Sequence, residues 1–337
     1  MNIYEIAKQA GVSAATVSRV MNHGDLVAEK TRERVQKVIR EQEYHPNVFA
    51  KGLAGNSFNT IGILTTNIRD LYFASAIYTI VRYAKQSGYD IILSHIREGE
   101  DDKAEALQML VDKRVDGIIL IGSLFHEESE DHPFILPTSE KVPVVMLNSS
   151  VPEYIPEDAR VYSVECDDEY GGYIATKHLL EEGCRVIPYI YDVDTLSSRN
   201  KRHGYLRALK EYGRKGIFQK AKDVYEGETA IRRILKKHPD IDGVFCSEDS
   251  LAAGVLKGIR KDPSERERFV RVIGYNDILI PQITVPELSS VNGKVNQLSE
   301  RAFEIMNCIL KEEPADRSYV IKPELVVRES SCKNLKS

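Results

Sequence analysis

The chain has 337 residues, 42% of them hydrophobic and 29% charged, enough for a small module beside a large core and incompatible with a disordered or fibrous protein. Its formal charge of −5 is unevenly spread. Up to Phe58, eight basic residues face six acidic ones, so a mildly basic head precedes an acidic body, as suits a protein that meets a polyanion at one end only. No run approaches the roughly 18 apolar residues of a membrane span, and the N-terminus lacks a basic region followed by an apolar stretch, so a cytoplasmic location is expected.

In chain order, Ile3, Ile6, Ala7 and Ala10 recur at helical spacing, which predicts a short helix ending at Gly11. Ser13 then caps a second helix with Val17, Val20 and Met21 on one face and Ala14, Ala15, Ser18 and Arg19 turned outward. Two short helices crossing at a tight glycine turn form a helix-turn-helix, whose second helix offers its N-terminal residues to the DNA major groove. Small residues there let the backbone approach, Arg19 reaches a base edge or phosphate, and the hydroxyls of Ser13, Thr16 and Ser18 take backbone or phosphate bonds. Each of these residues alone also reads as a cap or a solvated position; the ordered set reads as DNA-binding. A third helix is expected from Lys30 to Tyr44, with Val35, Val38 and Ile39 inward and Arg32, Arg34, Lys37 and Arg40 mostly exposed. In "YHPNVFAKGLAG", Pro46 sits just inside a helix start and Gly55 just past its end, but so short a helix is unstable in water without a partner.

The body alternates β-rich runs with amphipathic helical ones. Strands are expected at 61–65, 90–95, 117–122, 142–147, 161–166, 186–191, 242–247 and 270–275, which argues for parallel sheets covered by helices. About eight strands suggest two sheets in series, because one doubly wound unit uses about five or six. No phosphate-binding glycine loop, nucleophile elbow or HExxH motif occurs, and the eight histidines lack ligand spacing. "EGEDD" at Glu98–Asp102 reads as a loop into a helix, and "ECDDE" as a strand-to-helix turn with Asp167 or Asp168 as cap. The five cysteines, Cys166, Cys184, Cys246, Cys308 and Cys332, show no CxxC spacing and are expected to be reduced and mostly buried. Neither an enzyme nor a metal or cofactor site is expected.

"IYEIAKQAGVSAATVSRVMN", "KTRERV" and "YHPNVFAKGLAG" followed by "TIGIL" are very similar to the head and hinge of the LacI/GalR family of bacterial transcription regulators. "VDGIIL", "VPVVMLN", "KRHGYLRAL", "SEDSLAAGVL" and "VIGYND" extend the resemblance through the body in order. It implies an all-α helix-turn-helix head (1–45), a hinge helix and linker (46–58), and an α/β core (59–332). The core would comprise two doubly wound parallel-sheet lobes of the type I periplasmic-binding-protein kind. Lobe 1 would cover about 59–160 and 293–318, and lobe 2 about 161–291 and 319–332, with crossings near Arg160, Val291 and Ser318. The rival class, a solute-binding protein or sugar enzyme sharing only the two-lobed core, has no use for the head and hinge.

The resemblance further implies a homodimer, or a tetramer built from dimers, that binds double-stranded operator DNA of pseudo-palindromic sequence. Tyr4, Ser13, Ala14, Ala15, Thr16, Ser18, Arg19, Asn22, Thr31 and Arg32 of the head would contact DNA, as would Asn47, Ala50, Lys51, Leu53 and Ala54 of the hinge. Leu53 would wedge into a central minor-groove step. Relatives commonly carry large polar side chains where Ala14 and Ala15 stand, so Arg19 would supply much of the hydrogen-bonded readout; Ala28 replaces a frequent serine before the third helix. A small polar effector, best matched by a sugar or sugar derivative, would meet Thr66, Tyr72, Phe73 and Asn148 from lobe 1 and Lys201, Tyr225, Glu248 and Asn276 from lobe 2. Asp249 and Asp277 would be caps beside the contacts. Lys201 replaces a usual arginine and lacks its bidentate fork, which weakens hydroxyl clamping and opens the site to a phosphate or another charge.

Overall fold

The structure is a computed structural model that describes residues 2–22, 26–42, 57–96, 102–131, 133–261 and 269–332. The chain divides into two units, Met1–Asn59 and Thr60–Ser337.

In the first unit, three helices enclose a small core: α1 (Ile3–Ala10), α2 (Ala14–Asn22) and α3 (Glu29–Glu41). Asn2 caps α1 by accepting from the Tyr4 and Glu5 amides, and Glu5 returns a bond to the Asn2 amide. Gly11 ends the helix in the left-handed region, at φ 63°. Ile6, Ala7, Ala10, Val17, Val20 and Val35 are buried together, with Val38 and Ile39 packed against them. The third helix is thus found as expected up to Glu41; its expected end at Tyr44 and the hinge lie outside the described residues.

The second unit holds strands β1 (Thr60–Thr65), β2 (Asp90–His95), β3 (Gly117–Ile121), β4 (Val144–Leu147) and β5 (Val161–Cys166). There follow β6 (Pro188–Tyr191), β7 (Ile217–Lys220), β8 (Gly243–Cys246), β9 (Arg271–Tyr275), β10 (Ser289–Asn292), β11 (Ser318–Ile321) and β12 (Glu324–Val326). They form two six-stranded sheets, ordered β2-β1-β3-β4-β5-β11 and β7-β6-β8-β9-β10-β12. Every pairing is parallel except β10 with β12. Period-two alternation splits the first sheet's core: Ile61, Ile63, Ile119, Val145 and Leu147 join one cluster, while Leu64, Ile118, Leu120, Val144 and Met146 join the other. The helices Leu71–Gln86 and Val295–Leu310 cover the first face.

Sheet membership corrects the expected lobe boundaries. β5 belongs to lobe 1, where Val161 pairs with Val144 of β4 and Ser163 with Ser318 of β11. β11 likewise closes the first sheet. The chain therefore crosses around residues 167, 293 and 322, and the crossings expected near Arg160 and Ser318 are each displaced to the far end of a strand. The edge strands β7, β11 and β12, together with β10, add to the eight expected. They are three or four residues long, and β7 and β11 alternate between exposed and half-buried positions, so they carry little apolar signal.

Candidate functional site

In the head, the residues expected at DNA are presented by α2 and by the ends of α1 and α3. Ser13 Oγ accepts the Thr16 amide at 3.2 Å, which caps α2, and bonds the Thr16 hydroxyl at 2.9 Å. Tyr4 is 74% exposed; Ala15 and Arg19 are exposed, and Thr16, Ser18, Thr31 and Arg32 are half-buried. Ala14 leans partly on the head core and is less outward than its spacing suggested. Arg32 is held by Glu29 at 2.6 Å. Ala28 makes no side-chain cap for α3; its carbonyl instead accepts the Thr31 and Arg32 amides, at 2.8 and 3.0 Å. The Asn22 side chain and Asn47, Ala50, Lys51, Leu53 and Ala54 lie outside the described residues.

In the second unit, a cleft of about 220 Å³ opens where the carboxyl ends of the two sheets meet. That is the position where doubly wound sheets bind ligands, since successive strand ends and helix starts converge there. Thr66 follows β1, Ser123 and Leu124 follow β3, and Asn148 follows β4. From the other lobe come Asp192 after β6, Ser247 and Glu248 after β8, and Asn276 after β9. Asn148 and Asn276 end their strands in the left-handed region, at φ 60° and 101°, which asparagine tolerates better than most residues.

Tyr72 and Phe73 stand edge to face, their ring centroids 5.9 Å apart, at the start of the Leu71–Gln86 helix. Asp70 caps that helix by accepting both their amides, at 2.8 and 3.2 Å. Burial nonetheless pushes the Asp70 carboxyl above its usual range. Glu248 accepts the Ser250 hydroxyl, but burial first and Asp192 second push its carboxyl up to about 8.

Lys201 is the buried cation of the cleft, only 7% exposed. Its Nζ donates to the Ser247 carbonyl at 3.2 Å and lies 3.9 Å from the Tyr275 ring centroid. Glycines place it there. The helices Asp168–Glu181 and Leu196–Glu211 touch backbone to backbone: a Cβ at Gly172 would stand 2.1 Å from the Lys201 carbonyl oxygen, and one at Gly204 1.9 Å from that of Glu169. Beneath Lys201, the Tyr275 hydroxyl donates to Asp168 at 2.7 Å.

The cleft brings together seven of the eight effector residues expected from the sequence: Thr66, Tyr72, Phe73, Asn148, Lys201, Glu248 and Asn276. Tyr225 is the exception. It is 71% exposed at the start of the Val224–Lys237 helix, its ring facing Lys257, because the Asp223 cap fixes the helix start and Lys222 reaches the cleft instead. Asp249 and Asp277, expected as caps, bond within lobe 2. Asp249 accepts the Ser290 hydroxyl (2.5 Å) and the Asp277 amide (2.8 Å), and Asp277 pairs with Arg328 at 2.6 Å. Sequence reading missed Asn67, Asp70, Ser123, Asp192, Thr195 and Ser197, among others. Asp192 and Ser247 follow strand ends, a signal that could have found them.

Two family profiles match. Residues 2–47 fit the bacterial regulatory proteins of the lacI family, and residues 59–324 fit the periplasmic binding proteins and sugar-binding domain of the LacI family. This chain belongs to the LacI family. Among similar proteins of this LacI-family regulator is an HTH-type transcriptional regulator of Lachnoclostridium phytofermentans, 32% identical and covering 98% of this chain and 99% of its own. The PurR repressor of Vibrio parahaemolyticus is 30% identical with 97% of each chain covered. The solved lac repressor dimer, bound to operator and the anti-inducer ONPF, shares the fold with a TM-score of 0.86 at 22% identity, over 98% of this chain and 99% of that one. A CelR–cellobiose complex matches with a TM-score of 0.68 at 25% identity, over the same shares. Among the described residues, no helix is long and apolar enough to cross a membrane.

Proposed function

We propose that this LacI-family regulator is a repressor that binds a pseudo-palindromic operator as a homodimer and is controlled by a small hydroxylated effector, a sugar or sugar derivative, in the interlobe cleft. The observation that carries this reading is a cleft of convergent polar groups at the strand ends of two lobes, in one chain with a helix-turn-helix head. The name of the PurR relative, that of the ribose operon repressor of Halalkalibacterium halodurans (30% identical, 98% of this chain and 96% of its own), and the cellobiose bound by CelR support it.

Arg19 carries the hydrogen-bonded base readout, while Ala14 and Ala15 offer only methyl contacts, for instance to thymine. The effector touches both lobes, so it favours one lobe arrangement over another. It shifts operator affinity only by its differential affinity for the two, commonly about 1–3 kcal/mol. The test is an operator titration of the full chain against a panel of mono- and disaccharides, amino sugars included. At least one should change operator affinity, and Lys201→Ala should abolish that response. If no sugar changes operator affinity, or Lys201→Ala responds as wild type does, the effector reading fails.

A further inference from the structure

The cleft continues into a second compartment. Beyond the first lies another of about 210 Å³ with a more apolar wall, Leu71, Ile278, Leu279 and Ile280; Asp70, Tyr72, Glu248 and Asn276 border both. The side chains that border both include two carboxyls and no basic group.

Three carboxylates border the first compartment: Asp70, Asp192 and Glu248. Of its two lysines, Lys222 is exposed, and Lys201, held on the Ser247 carbonyl and the Tyr275 ring, offsets Asp70 and Glu248 only in part: both carboxyls stay raised. Arg199 and Arg202, on the helix that carries Lys201, are paired with Glu128 and Asp194. Arg69, on the second compartment, is exposed, so its charge is largely screened. Asp249, beside Glu248, is satisfied by Ser290 and the Asp277 amide. Tyr72 is more than nine-tenths buried, and its hydroxyl has no hydrogen-bond partner among the described residues.

A phosphate at this junction would meet two acidic groups, and a neutral sugar would leave in place the repulsion that, with burial, keeps them and Asp192 from ionising together. A cation would relieve it, because like charges brought together out of water favour an opposite charge between them. We propose that the effector joins hydroxyls to a cationic group, as an amino sugar does, and that the cation seats between Asp70 and Glu248 where the two compartments meet. This rests on the reading of the cleft as the effector site. The raised carboxyls of Glu248, about 8, and Asp70 agree with it: each is held back from ionising by burial and by carboxylate neighbours, and a bound cation restores the ionised form.

The test needs no knowledge of the natural ligand. Ser123→Cys places a thiol in the lobe 1 wall of the full-length chain; Cys308→Ser and Cys332→Ser remove the two cysteines that are not buried. At a pH of about 8.5, its reaction rate is compared between cationic trimethylammonioethyl and anionic sulfonatoethyl methanethiosulfonates, with a free small thiol as reference; Asn67→Cys is the second reporter. The cleft should favour the cationic reagent about tenfold or more over the reference ratio, and Asp70→Asn with Glu248→Gln should erase the preference. A ratio at or below that of the free thiol overturns the proposal, as does a preference that survives neutralisation of both carboxylates. Operator binding by the unsubstituted full-length chain is measured alongside. Its absence with the charge preference intact would sink the repressor reading and not this one.

Discussion

Replacing Gly172 by alanine tests how Lys201 is placed. The added Cβ would lie 2.1 Å from the Lys201 carbonyl oxygen, 2.8 Å from its carbon and 2.9 Å from its Cα. All three atoms are backbone of a neighbouring helix, so no side chain can swing aside. The two helices must separate by about an ångström, and Gly204, equally close to the Glu169 carbonyl, resists any sliding that avoids it. Overpacking of this kind costs about 1–3 kcal/mol, and the better helix propensity of alanine returns about 1 kcal/mol. With backbone on both sides the clash belongs at the upper end, which leaves a net loss of about 1–2 kcal/mol. In a unit of this size that lowers Tm by a few degrees, at about 2–4 °C per kcal/mol. The same displacement lifts Lys201 from Tyr275 and Ser247, so ligand-induced stabilisation should shrink as well. Scanning calorimetry with and without ligand reads both effects. A variant as stable as wild type or more so would refute the close-packed placement.

Arg19→Ala should weaken operator binding by about 1–3 kcal/mol and relax base preference at one position of each half-site, as measured by titration against single-base operator variants; a loss uniform across all variants would mean a phosphate contact. Tyr275→Phe keeps the ring under Lys201 but removes the donor to buried Asp168, so stability should fall by about 1–3 kcal/mol in denaturant titrations; a change under about 0.5 kcal/mol would show the bond to be dispensable. Glu248 faces Asp70, Asp192, Lys201 and Ser250, and its raised carboxyl means that the folded state holds a proton which the unfolded chain gives up. Its contribution therefore turns unfavourable as pH climbs from the ordinary carboxylate range to about 8 and stays so above. Glu248→Gln should flatten the decline of Tm between about pH 5 and pH 8, and an unchanged profile would contradict the burial argument.

The head was legible because its signals are local: an apolar stripe from Ile3 to Ala10, a glycine in the left-handed turn and a serine cap, each of which the chain realises within a few residues. The core strands were legible where both faces are buried, as in β1 and β3, which read as continuous apolar runs. Which sheet a strand joins was not. Val161–Cys166 looks the same whether it opens lobe 2 or extends lobe 1, and only its register with Val144 and Ser318 decides. Pocket residues on strand ends, such as Asn148 and Asn276, were accessible through the resemblance. Asp70 was hidden because a helix cap and a cleft wall need the same short carboxylate. Tyr225 was misplaced because one helix start sets whether it or Lys222 faces the cleft.

The central claim, that this chain reads DNA as a symmetric pair of helix-turn-helix heads, is tested most directly by selecting sites for the full-length chain from random duplex DNA. The account predicts enrichment of a pseudo-palindrome with two equivalent half-sites, bound by two chains and degraded when Arg19 is replaced by alanine. Enrichment of sites without two-fold symmetry, or no enrichment at all, would contradict it.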